Sequence, residues 1–139
     1  MIFFVRVFFL TILRFFVLMS FLLFLQNFDV SPLPAWTLIA TAYLAHFLLT
    51  WFFAAWAFHK QYPSNSDIAI AGGSFLIIGT LLEAGLYFIL SPGATFQGLL
   101  KNYSWQSLIL VAIYIAAIAL AAYRARKKRE KLLPEGVVM

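Results

Sequence analysis

Residues 103–131 read YSWQSLILVAIYIAAIALAAYRARKKREK. From Tyr103 to Tyr123 there is no Lys, Arg, Asp or Glu, and then six of the eight residues from Arg124 to Lys131 are basic. An apolar run of about 20 residues crosses the hydrocarbon core as a helix, because the helix rises about 1.5 Å per residue across about 30 Å. The abrupt change to dense positive charge marks where that run meets water and headgroups.

Three more such runs lie upstream, at roughly 2–28, 35–58 and 68–90. Turn chemistry separates them. Ser31-Pro-Leu-Pro34 interrupts the first, since proline lacks the donor N–H and disfavours helix before it. Lys60-Gln-Tyr-Pro-Ser-Asn-Ser66 separates the second from the third, with Asp67 read as an N-cap. Ser91-Pro-Gly93 ends the third, and a polar loop follows to Asn102. All four runs are expected to be helices, because backbone in lipid must satisfy its own hydrogen bonds. They are too long and too evenly apolar for alternating barrel strands. The expected fold is an all-α, four-helix transmembrane bundle over residues 1–123, with a basic cytoplasmic tail over 124–139.

Composition agrees. Of the 139 residues, 64% are hydrophobic and 11% charged, where a soluble domain has about a quarter charged. No stretch outside the spans is long enough for a second domain. There is no cysteine, which excludes disulfides, thiol nucleophiles and thiolate metal or iron–sulfur sites. The first span is expected to be retained, since Asn27-Phe-Asp-Val-Ser31 is a poor match to a signal-peptidase site. By the positive-inside bias, the tail places the C-terminus in the cytoplasm, and four spans place the N-terminus there too. Lys60 agrees with this topology and Lys101 dissents. Trp36, Tyr103 and Trp105 at one end, and Trp56, Tyr62 and Tyr123 at the other, suit two interfacial aromatic girdles. The expected location is a bacterial plasma membrane.

The apolar runs are not uniform by face. At about 100° per residue, Ala69, Gly72, Leu76, Gly79, Thr80, Glu83 and Tyr87 form one stripe of the third span. Gly72 and Gly79 there would admit a close helix neighbour. The second span has a stripe of Trp36, Tyr43, His46, Thr50, Ala54 and Ala57. The fourth carries Ser107, Tyr114 and Ala121 at heptad spacing, and a separate small-residue face of Ala112, Ala116 and Ala119 that suits helix packing. The first span is greasy nearly all round, interrupted by Arg6, Thr11, Arg14 and Ser20, and much of it is expected to face lipid.

Depth selects a candidate site. From the helical rise, Arg14 lies about 18 Å and Glu83 about 23 Å from the inner ends of their spans, and His46 about 17 Å from the outer end of its own. All three fall within the hydrocarbon core. An ionisable group there is costly, so it usually faces the bundle and finds a partner. The expected polar cluster is Arg14, His46 and Glu83 with Tyr43 and Tyr114, and its simplest form pairs Arg14 with Glu83. Arg6 is shallow enough to snorkel. Two uses compete for Glu83: a proton- or cation-coupled site, or a structural ion pair or bonded glutamic acid.

Other chemistries are not expected. His46 and His59 do not lie at depths that suit bis-histidine haem, and they make no zinc pattern, so no cofactor or metal is expected. The glycines lack a phosphate-loop ending. There is no nucleophile elbow, paired-carboxylate set or His-Glu-x-x-His helix, so no enzyme is expected. Asp29 and Asp67 fall on opposite sides of the membrane. Arg124, Arg126, Lys127, Lys128, Arg129 and Lys131 lack interleaved aromatics, which speaks against nucleic acid and for anionic lipid at the inner leaflet. In size and span count the chain resembles small multidrug-resistance exporters. Their essential glutamate lies in the first helix, whereas here that helix carries arginines, and no family is assigned. The expected function is an accessory or structural subunit that packs with membrane partners or with its own copies. The alternative is a small oligomeric transporter or permeation unit using Glu83, Arg14 and His46.

Overall fold

A computed structural model of the chain describes residues 2–27, 34–102 and 105–132. They form five helices, α1 (Ile2–Asn27), α2 (Ala35–Ala57), α3 (Asn65–Leu90), α4 (Phe96–Asn102) and α5 (Trp105–Leu132), and no strand. Four of them are long and apolar enough to cross a membrane. Asp29, Tyr103 and most of the first proline turn lie outside the described residues, as does the side chain of Trp105.

The helices do not neighbour one another in chain order. α1 packs on α2 and α3, and α5 packs on α2 and α3, so the ring runs α1–α2–α5–α3. The chain therefore crosses a diagonal between α2 and α3. The packing stripes explain the ring. On α1, Val7, Leu10, Thr11, Arg14, Phe15 and Leu18 are buried, a helical stripe within an otherwise lipid-compatible surface that exposes Phe4, Phe9, Phe16 and Phe24. On α2, the expected stripe is buried from His46 through Thr50, Ala54 and Ala57, while Trp36 is exposed. Ala54 and Ala57 share a core with Ala121 and Ala122 of α5, and side chains this small let the backbones approach closely.

Three local expectations need correction. Asp67 is not the N-cap of α3. Ser64 is, and its hydroxyl accepts from the Asp67 N–H while the Asp67 carboxylate accepts from the Ser64 N–H. This reciprocal box satisfies two orphan donors at once. The buried face of α3 is Ala71, Ser74, Phe75 and Gly79, roughly a third of a turn from the centre of the expected stripe. Phe75 takes the centre because bulk, not smallness, fills the middle of the ring. Gly72 and Gly79 lie at the edge of that face. The loop before Asn102 contains α4, whose Gly98 lies so close to the Tyr87 hydroxyl that an added Cβ would approach it to 2.8 Å.

The basic segment is not a separate tail where it is described: α5 runs through it to Leu132. The basic end is tied together. Arg6 of α1 donates to the Ala57 carbonyl (3.3 Å). Arg126 donates to the Pro63 carbonyl (2.9 Å) and the Asn65 side chain (2.8 Å). Arg129 donates to the Lys60 carbonyl. The start of α1, the α2–α3 connection and the end of α5 thus share one end of the bundle.

Candidate functional site

Arg14 occupies the middle of this ring. It is 1% exposed and among the largest fully buried side chains. Its position follows from the α1 stripe: Val7, Leu10 and Thr11 precede it and Leu18 follows it on the same face. The guanidinium reaches across to the diagonal helix, with its carbon 4.8 Å from the Tyr114 ring centroid and 5.4 Å from that of Phe75 on α3. One terminal nitrogen donates to Thr50 Oγ1 of α2 over a long 3.4 Å. Nε has no hydrogen-bond partner. All four long helices thus meet at one cation.

The other terminal nitrogen explains a glycine. A Cβ built on Gly79 would lie 3.0 Å from Arg14 Nη2, tighter than van der Waals contact. Gly79 leaves room for the guanidinium between α1 and α3.

Tyr114 organises a second polar contact. Its hydroxyl lies 2.9 Å from His46 Nδ1, and both residues are buried. Tyr114 therefore offers its ring face to Arg14 and its hydroxyl to His46. Replacing it with phenylalanine keeps the ring and orphans the histidine nitrogen. Tyr114→Phe is expected to lose about 1–3 kcal/mol of stability, read by chemical unfolding in detergent. A wild-type unfolding curve would show that this hydrogen bond contributes nothing.

Glu83 is not paired with Arg14. Among the described residues no salt bridge joins them, although their charges lie close enough to interact. Glu83 instead lines a cleft of about 110 Å³ between α3 and α5, with Thr80, Ser107 and the outer edge of Tyr114. The reason is rotational: Gly79 and Phe75 point α3 toward the ring centre, which turns Glu83 to the side. Tyr43 is half-buried and makes no hydrogen bond among the described residues. The expected five-residue cluster thus divides into a closed knot of Arg14, His46 and Tyr114, a lateral Glu83, and a peripheral Tyr43.

Two participants escaped the sequence reading of the site, Thr50 and Phe75. Thr50 lies on the His46 stripe, one turn along, and nothing in the sequence marks its hydroxyl as a hydrogen-bond acceptor. Phe75 carried no signal, because one phenylalanine among 16 does not announce a cation–π partner. The packing alanines of α5 also differ from expectation. Ala112, Ala116 and Ala119 are exposed on the far side of the helix, while Ala117, Ala121 and Ala122 are buried. Among the described residues no group of three His, Cys, Asp or Glu could hold a metal ion.

A magnitude settles what the knot can do. Placing arginine at mid-bilayer depth costs about 2.5–3.5 kcal/mol on an insertion scale. A desolvated cation–π contact contributes about 2 kcal/mol. Two such contacts and one weak hydrogen bond offset the burial to within the error of either. The knot therefore holds a cation at nearly neutral cost without a carboxylate. No protein-family model, curated protein or solved structure matches this chain, so the reading of function rests on these residues.

Proposed function

We propose that this small polytopic membrane protein is an accessory or structural subunit that packs beside other membrane chains. The observation that carries the reading is the division of its polar groups. Arg14 is sealed among three helices, which leaves the ring centre closed at that level. Glu83 is half-buried in a partly open cleft between α3 and α5. A carboxyl group at that depth is costly against lipid tails and less so against a protein neighbour. The outward face of Ala112, Ala116 and Ala119 adds a surface on which a second helix approaches closely. The same reading keeps the basic end of the bundle in the cytoplasm.

A photo-crosslinking amino acid at Ala116 should capture a membrane chain in intact cells, whereas the same group at buried Ala54 should capture only this protein's own helices. Crosslinks to lipid alone at Ala116 would remove that face from the proposal. The second reading, a permeation unit built from several copies, is favoured by one observation: Glu83 shares its cleft with Thr80, Ser107 and Tyr114. It requires a proton or cation flux in proteoliposomes that Glu83→Gln abolishes. The accessory reading expects no such Glu83-dependent flux.

A further inference from the structure

A second cavity shares no lining residue with the Arg14 knot. It lies between the ends of α2 and α5 and has a volume of about 390 Å³, within the range of small-molecule pockets. Its wall is divided by depth. Trp51, Phe58 and Ala121 supply apolar surface. Lys60, Arg124, Lys128 and Arg129 supply four cations, and among the described residues no carboxylate lines the wall. Trp51 lies about 9 Å deeper along α2 than Ala57, and Ala121 about 12 Å deeper along α5 than Arg129, by the helical rise. The apolar part is therefore within the membrane-spanning length and the cations stand at its edge.

Four cations on one wall favour a ligand rich in acceptor oxygens. Lys60 adds a backbone observation. Its φ is +62°, a left-handed conformation that glycine adopts more cheaply than lysine. A lysine stands where glycine would adopt the backbone more cheaply.

We propose that this cleft binds one acidic phospholipid, with its phosphate among Lys60, Lys128 and Arg129 and an acyl chain along Trp51 and Phe58. Basic pockets between membrane helices suit such headgroups. The site is narrower than the basic segment as a whole: Arg126, Lys127 and Lys131 lie outside the wall. Within it, Arg129 also donates to the Lys60 carbonyl, which holds these two residues together, and Arg124 sits over the Trp51 ring. Lys60, separated from the other cations by a whole helix pair in sequence, belongs to the site.

The test uses the full chain purified in neutral detergent. Phosphatidylglycerol, phosphatidylcholine or inorganic phosphate is added, and retained lipid is read by native mass spectrometry beside the thermal transition. Phosphatidylglycerol should stay bound and raise the transition, and phosphatidylcholine should not. Lys60→Gly with Lys128→Gln should weaken retention roughly thirtyfold, at roughly fivefold per cation. Lys127→Gln with Lys131→Gln removes equal charge outside the wall and should leave retention unchanged. Lys128→Gln alone, at an exposed position, gives the roughly fivefold step without touching the loop. Equal retention of the two lipids overturns the proposal. So does equal weakening by the two variant pairs, which would mean diffuse attraction. A full thermal shift from inorganic phosphate alone would make this a site for a free anion and not for a lipid.

Discussion

Arg14→Glu should prevent the bundle from assembling, while Arg14→Met should leave it as stable as the native chain or more so. The native guanidinium lies over two ring faces, and ring faces carry negative charge. A carboxylate there meets repulsion from both, loses its donors to Thr50, and adds to the negative charge of Glu83 nearby. Breaking a buried charged arrangement in this way typically costs 3–5 kcal/mol, a large share of a stability of about 5–15 kcal/mol. Methionine removes the burial cost and the cation–π attraction together. Since those two terms nearly cancel, the expected change is between zero and about 4 kcal/mol of stabilisation. Exchanging both charges, with Arg14→Glu and Glu83→Arg, should not rescue assembly, because a carboxylate at position 14 would still face the Tyr114 and Phe75 rings. Reversible unfolding in mixed detergent micelles measures all three. A well-assembled double exchange would show that the two residues pair directly after all. An Arg14→Met protein as damaged as Arg14→Glu would show that the cation itself stabilises the ring, contrary to the balance argued above.

Gly79→Leu should be the second severe substitution, and its damage should be specific to Arg14. The first added carbon already meets Arg14 Nη2 at 3.0 Å, and the rest of a leucine side chain would need the volume of the guanidinium. Overpacking of this kind costs about 1–3 kcal/mol and at times more. The guanidinium is pinned by Tyr114, Phe75 and Thr50, so it cannot swing aside cheaply. If the two residues compete for one space, Arg14→Ala should recover much of the loss in Gly79→Leu, with a coupling of about 2 kcal/mol in a double-mutant cycle. Additive single effects would place the damage elsewhere on the α1–α3 contact. Gly72 provides the contrast. Its added Cβ would rest 3.8 Å from Ile118 Cδ1, an ordinary contact, so Gly72→Ala is expected to be mild.

The number of spans, their helical state and most of their bounds to within a few residues were determined by local properties of the chain; the end of the fourth helix, which runs on through the basic segment to Leu132, was not. Hydropathy over about 20 residues depends on composition, and so do the prolines and the Ser64–Asp67 turn that separate the runs. The positions of Arg14, His46 and Glu83 along their helices were also legible, because rise per residue is a constant of the helix. The sequence reading also named Tyr114 as a partner. Which residues face one another was decided only by the tertiary structure. The chain passes from α2 to α3 across the ring, so these two successive spans are diagonal in space, and α5 comes beside α2. That order aims Tyr114 and Phe75 at Arg14, turns Glu83 to the side, leaves Ala112, Ala116 and Ala119 outside, and brings Lys60 to Lys128 and Arg129. In a membrane, where every face of every helix is apolar enough, the pattern of greasy residues sets the solvent, but it leaves the rotation of each helix open. Small residues, bulk and a few polar contacts choose that rotation, and those act only once the neighbours are in place.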